Sequence, residues 1–103
     1  MNTASLDRTL QGNIVSIVAK YLDTRAYRVV LFGSRAQGRG GDRSDIDIGI
    51  QGSQPVSLRT LSLIQEEIDA LPTLHIIQIV DFARVSPRFR EVALAVTQPL
   101  TRV

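Results

Sequence analysis

The stretch whose reading decides the fold is Arg28-Val29-Val30-Leu31-Phe32-Gly33-Ser34, followed ten residues later by Asp45-Ile46-Asp47-Ile48-Gly49-Ile50. The first part is a β-rich apolar run that stops at a glycine, which predicts a short buried strand ending in a turn. The second part alternates strictly. In a strand, successive side chains point to opposite faces, so Ile46, Ile48 and Ile50 line one face while Asp45, Asp47 and Gly49 line the other. One face is expected to be core and the other to carry chemistry. Residues 35–43, RAQGRGGDR, hold three Gly and three Arg with no apolar period, so they read as at most one helical turn and then an exposed loop.

Working outward, Leu6, Leu10, Ile14, Ile17, Val18, Tyr21 and Leu22 form a helical stripe with Ser5 placed to cap it. Gly12 inside that stripe weakens it by ~1 kcal/mol relative to Ala. After a break at Gly52 to Pro55, Leu58, Leu61, Ile64, Ile68 and Leu71 form a second stripe, with Ser57 as cap and Pro72 beyond its end. His75 to Phe82 reads as another strand. A last helix is expected from Ser86 as cap and Pro87 at the first position through about Val96. The order α-β-turn-β-α-β-α predicts an α/β domain with a small mixed sheet of three or more strands covered by helices.

At 103 residues the chain is expected to be one domain, residues 1–103, with one core. Apolar residues at 44% and charged residues at 21% exclude a disordered, coiled-coil or collagen-like chain. The core must be aliphatic, because there is no Trp and only five Phe or Tyr. So small a core predicts modest stability, or stability shared with a partner or a second copy. The absence of cysteine excludes disulfide scaffolds, thiolate metal sites and Cys nucleophiles. No apolar run approaches the roughly 20 residues of a membrane span, and MNTASLDRTL lacks the pattern of a signal peptide, so a cytoplasmic protein is expected. A net charge of +2, with ten acidic residues beside twelve basic ones, gives too weak a field to predict direct nucleic-acid binding.

Asp45 and Asp47, pointing the same way, repel each other unless a cation lies between them. Mg²⁺ suits such a pair, since it uses one or two protein carboxylates together with waters and substrate phosphates. The alternative is a solvated face, which any half-exposed strand shows. Gly33-Ser34 directly follows a strand and precedes a Gly-rich segment, so Ser34 Oγ and the next backbone N–H groups can face a phosphate. This is not a P-loop: no Gly-Lys-Ser/Thr follows, and the only lysine, Lys20, lies in the first helix. Read alone, Gly33 is equally a turn glycine and Ser34 a helix cap.

Together, Gly33-Ser34, ten intervening residues and Asp45-x-Asp47 resemble the signature of the DNA polymerase β-like nucleotidyltransferase superfamily. Leu31-Phe-Gly-Ser-Arg-Ala-Gln-Gly38 with Arg43-Ser-Asp-Ile-Asp-Ile48 is similar to its minimal branch, the MNT proteins. The resemblance is carried by residues 28 to 50 and extends over the rest by element order only. It implies the polymerase β-like fold, Gly33 and Ser34 on the phosphates of ATP or another NTP, and Mg²⁺ on Asp45 and Asp47. The reaction it implies is transfer of a nucleotidyl group to a hydroxyl. Arg35, beside the turn, matches a common family residue. Arg39 and Arg43 are candidates for phosphate charge or for ordinary loop positions. His75, the only histidine, reads as structural.

The chain departs from the family where a third carboxylate is expected. The strand reads Ile76-Ile-Gln-Ile-Val-Asp-Phe82, so Gln78 occupies that position. Gln offers a weak carbonyl ligand and no basicity. Asp81, three residues on, falls on the opposite face of a regular strand and reaches the site only through a bulge or a shifted register. Otherwise it is a strand-end residue bonded to nearby backbone. The resemblance implies an antitoxin that adenylylates a helical HEPN toxin. The alternative, which Gln78 favours, is a binding module with an impaired site that acts on its partner by contact alone.

Overall fold

The computed structural model describes residues 7–38 and 45–101 of the chain. Ser5, expected as the first helix cap, lies outside them. Within the described residues, the first helix, α1 (Arg8–Tyr21), is capped by Asp7, whose carboxylate accepts from Leu10 N at 3.1 Å. Its stripe buries Leu10, Ile14, Ile17 and Val18. β1 (Tyr27–Phe32) and β2 (Ile46–Gly52) follow as expected. The next helix, α2 (Leu58–Asp69), begins at Ser57, whose hydroxyl accepts from Thr60 N. Leu58 does not belong to its buried stripe, because in the first turn it projects away from the sheet and is 66% exposed. Ile64 and Ile68 are the buried pair.

β3 (Ile77–Asp81) is shorter than His75 to Phe82, and Leu74 and Ile76 before it stand exposed. α3 (Pro87–Leu94) starts as read, with Ser86 accepting from Phe89 N and Pro87 in its first turn, and ends two residues before Val96. The structure adds a short fourth strand, β4 (Gln98–Pro99), for which the sequence holds no signal because a two-residue strand containing proline carries no period.

The sheet is mixed and runs β3-β2-β1-β4. β2 pairs antiparallel with β1 and parallel with β3, and β4 adds antiparallel to the outer edge of β1. α1 and α2 cover one face. There Ile46, Ile48 and Ile50 pack with Val29, Leu31, Ile14, Val18, Ile64 and Ile68 in a single aliphatic core. Lys20 and Tyr21 of α1 both donate to the Glu67 carboxylate of α2, joining the two helices at their outer surface. No helix among the described residues is long and apolar enough to cross a membrane.

The other face is only partly given over to chemistry. Val30, Phe32 and Phe82 form a second small core there, with Val80, Val85, Ala93 and Leu94 packed against it. The rings of Phe32 and Phe82 lie 5.1 Å apart, and Phe89 of α3 meets Phe32 edge-on at 6.2 Å. Phe82 sits directly on Gly49, where an added Cβ would fall 2.2 Å from a ring carbon. Of the three residues expected to share this face, Gly49 is thus roofed over, and Asp45 and Asp47 remain at the open end.

Substituting Gly49→Ala forces the Phe82 ring aside and is expected to cost about 1–3 kcal/mol, in the range of an overpacked core. Urea denaturation of Gly49→Ala, Phe82→Ala and the double variant checks this. The expected double-variant loss is smaller than the sum of the single losses, because removing the ring removes the clash.

Candidate active site

The site forms where β1 ends and β2 begins, side by side. The antiparallel register pairs Phe32 with Asp47, so the turn after β1 stands over the carboxylate of β2. Gly33 has φ +80°, a conformation that side chains rarely adopt, and a Cβ on it would lie 2.4 Å from Asp47 Oδ2. Glycine is therefore required here twice, by backbone angle and by the approach of the carboxylate. From Gly33 the chain makes one helical turn, with Gly33 O accepting from Gln37 N at 3.2 Å and Arg35 O from Gly38 N at 3.1 Å. Ser34 is exposed at the start of that turn, Arg35 is half-buried, and Ala36 is buried against the main core.

The turn is also held from a direction the sequence did not reveal. Gln98 of β4 pairs through its backbone with Leu31, and its side-chain Nε2 donates to Ala36 O at 3.2 Å. β4 thereby ties the end of β1 to the turn that carries Ser34. The only sequence signal for this was the residue type, since a carboxamide near the chain's end can bridge backbone groups, but nothing placed it beside residue 36.

On the other side of Asp47, the parallel register pairs it with Gln78. Register partners point to the same face, about 4.8 Å apart across the ladder. Gln78 is exposed on β3 beside the half-buried Asp47, and Asp45 is exposed just before β2. Asp81 pairs instead with Ile50, on the opposite face. It is buried there, with Oδ2 accepting from Val56 N at 2.7 Å and Oδ1 from Ala83 N at 2.9 Å. Arg84 completes the arrangement by donating to Val56 O at 2.9 Å, its Nε lying 3.7 Å from Asp81 Oδ2. Asp81 thus anchors the segment leading into α2 and is not brought to the Asp45/Asp47 pair.

His75 lies ahead of β3 and lines a shallow cavity with Asp7, Leu10 and Pro72 at the ends of α1 and α2. Arg39 and Arg43 lie outside the described residues. A shallow apolar groove of about 170 Å³ borders the turn, lined by Phe32, Gly33, Gln37, Phe89, Val92 and Ala93. That α3 reaches the turn was not legible in the sequence.

Burial, and then the charge of Asp45, push the Asp47 carboxyl above the usual carboxylate range. Both causes oppose its negative charge, and a cation between the two residues would remove the second. The donor set suits Mg²⁺, a hard ion that takes one or two carboxylates and completes its shell with water and phosphate oxygens. Among the described residues no cluster of three His, Cys, Asp or Glu side chains is present to hold a metal. The neutral Gln78 stands where a third carboxylate would make one.

A family model described as polymerase beta, nucleotidyltransferase, matches residues 13–101. No curated protein matches the chain in sequence. Several solved structures share its fold. A toxin–antitoxin crystallised with AMP-PNP superposes with a TM-score of 0.72 at 19% identity, over 90% of this chain and 73% of that one. A structure of the tri-AMPylated HEPN toxin of Shewanella oneidensis in complex with its MNT antitoxin gives 0.71 at 15% identity, over 95% and 74%. The toxin–antitoxin MntA-HepT gives 0.69 at 15% identity, over 94% and 74%.

The raised Asp47 carboxyl has a consequence for stability without metal. Between its ordinary range and its raised value, the folded protein holds a proton that the unfolded chain has released, so stability falls as pH rises through that window. Above the window the loss is complete and constant. In chelator, urea denaturation from about pH 3 to 7 is expected to show the parent's stability falling relative to that of Asp47→Asn as pH rises, since the Asp23 and Glu67 carboxyls, held low by their partners, contribute alike in both. At neutral pH the metal-free Asn variant is the more stable of the two.

Proposed function

The chain belongs to the polymerase β nucleotidyltransferase family, and from that premise we propose that it is a minimal Mg²⁺-dependent nucleotidyltransferase. In this reading it moves a nucleotidyl group, AMP from ATP, onto a hydroxyl of a helical HEPN-type protein, as the cytoplasmic antitoxin of a toxin–antitoxin pair. The observation that carries the reading is the meeting of the Gly33-Ser34 turn with Asp47 at the open end of one sheet face. The likeness in fold to an MNT antitoxin solved with an AMPylated HEPN toxin supports the choice of partner and transferred group.

Gly33 and Ser34 bind the nucleotide phosphates in this scheme: the glycine admits them close to the backbone, and the Ser34 hydroxyl donates to a phosphate oxygen. Arg35 offsets their charge. Asp45 and Asp47 would hold Mg²⁺, which would stabilise charge on the transferring phosphoryl group and make the acceptor hydroxyl more acidic. The acceptor oxygen forms a bond to the α-phosphorus as the bond from that phosphorus to the bridging oxygen breaks, and pyrophosphate leaves. The acceptor's proton passes to solvent, because Gln78 has no basicity with which to take it.

A second reading is favoured by one observation, the pairing of Gln78 with Asp47. With a neutral amide at that register position, the same fold serves as a binding module that neutralises or supports its helical partner by contact alone. The two readings separate in one experiment with the partner and labelled ATP. The enzyme reading expects label covalently attached to the partner and slower transfer by Ser34→Ala. The module reading expects tight binding and neutralisation with the partner unlabelled by mass spectrometry.

Nucleotide binding has its own check. Mg²⁺ with ATP is expected to raise the melting temperature by mass action, by an amount equivalent to about 2.7 kcal/mol at a hundredfold excess over Kd. The double variant Asp45→Asn, Asp47→Asn is expected to abolish the shift, and an equal shift in both proteins would place the nucleotide elsewhere. Gln78→Asp tests the missing carboxylate. It is expected to raise Mg²⁺ affinity and any transfer rate, the latter by up to the ~10²–10⁴-fold that a general base contributes. Without metal it should lower the melting temperature, since a third carboxylate then joins the repelling pair.

A further inference from the structure

β3 is an edge strand only five residues long, and the residue facing the carboxylates, Gln78, lies in it. Its even-numbered backbone groups face β2: Ile76 O accepts from Ile46 N at 2.8 Å, and Phe82 N donates to Ile50 O at 3.0 Å. The odd-numbered groups point outward, where an edge strand ordinarily bonds water or a further strand. Here the side-chain amide of Gln65, from α2, takes them. Its Nε2 donates to Ile77 O at 2.8 Å, and its Oε1 accepts from Ile79 N at 3.0 Å.

One carboxamide thus makes the two bonds that a neighbouring strand's peptide would make, on the residues either side of Gln78. Its orientation is set as well, because Nε2 also donates to Asp69 Oδ1 at 2.9 Å, one helical turn along α2. Gln65 stands next to Ile64, which is fully buried, so its own backbone is fixed to the main core. The chemistry is selective. Glu at 65 offers acceptors for Ile79 but no donor for Ile77, and Leu offers neither.

We propose that Gln65 is a positioning residue for residue 78: by clamping the backbone at Ile77 and Ile79 it holds that side chain in register with Asp47. The positioning role rests on the reading of Gln78 as the third-ligand position of a nucleotidyltransferase, whereas the clamp itself does not. Left without it, β3 is secured along one edge only, and residue 78 is free to shift relative to the carboxylates.

The test uses the full chain carrying Gln65→Leu or Gln65→Glu, each alone and combined with Gln78→Asp. By NMR, hydrogen exchange at the Ile79 amide is expected to be at least tenfold faster in Gln65→Leu, with the β1 amides unchanged. Titration with MgCl₂ alone is expected to show that whatever affinity Gln78→Asp adds is reduced at least threefold when Gln65→Leu is present. An unchanged Ile79 exchange rate would overturn the clamp. Faster exchange with fully additive Mg²⁺ affinities would leave Gln65 as an edge cap and overturn its positioning role.

If no variant binds Mg²⁺, it is the nucleotidyltransferase reading that fails, and the position of residue 78 is then read from its backbone amide resonance. A shift of that resonance in Gln65→Leu then supports the clamp and its hold on the backbone of residue 78, and an unmoved resonance overturns both. Should Gln65→Leu not fold, Gln65→Glu carries the same comparison by losing the Nε2 bonds to Ile77 O and Asp69 Oδ1 while keeping an acceptor for Ile79 N, with a shifted residue 78 resonance expected and an unmoved one decisive against it.

Discussion

Asp47 is held in a row across the sheet, with Phe32 paired to it on one side and Gln78 on the other. That register is the constraint on which the site depends. It brings the Gly33 turn so close to the carboxylate that a single methyl group would overlap Oδ2, and it sets residue 78 beside Asp47 on the same face of the sheet. A slip of one residue in either ladder would turn Asp47 into the aliphatic core and Ile46 or Ile48 toward solvent. The register is thus enforced by burial: Ile46, Ile48 and Ile50 are all wholly buried on the far face. Each such side chain is worth about 1.5–3 kcal/mol against exposure, far more than any polar contact at the site offers.

The two faces of the sheet divide the work unequally. The main core under α1 and α2 is aliphatic, while the second face is closed by three phenylalanines and α3. The aromatic cluster covers Gly49 and stops at Gly33, so Asp47 is only half-buried. Partial burial beside a second carboxylate makes the metal-free site unfavourable for negative charge, which is the condition under which a cation binds with advantage.

Supports for this end of the sheet come from residues with no chemistry of their own. Gln98 reaches from β4 to the turn at Ala36, and Gln65 reaches from α2 to the edge of β3. Asp81, a carboxylate in the right strand, is used to secure Val56 and the entry to α2. Gln98 and Gln65 thus fix backbone beside the Gly33 turn and Gln78, whereas Asp81 acts at the far end of β3, and the residue paired with Asp47 is an amide. In the proposed function, the choice between catalysis and contact turns on that one neutral group beside the turn and the paired carboxylates.

Much of this was readable from the chain alone, because the signals were local. Strict alternation over residues 45–50 determined which face of β2 is core, and Ser57, Ser86 and Pro87 marked two helix starts, since capping is a matter of neighbouring residues. The Gly-Ser turn and Asp-x-Asp carried the resemblance to the family that the match over residues 13–101 shows. The count from Gln78 to Asp81 already placed those two on opposite faces. What required the tertiary structure was every relation between distant segments. Gln98 and Gln65 meet backbone atoms many residues away, Leu58 turns outward, β4 forms from a segment with no period, and Phe82, packed against Phe32, roofs Gly49. Such contacts follow from how helices and strands pack in three dimensions, which composition and periodicity do not encode one segment at a time.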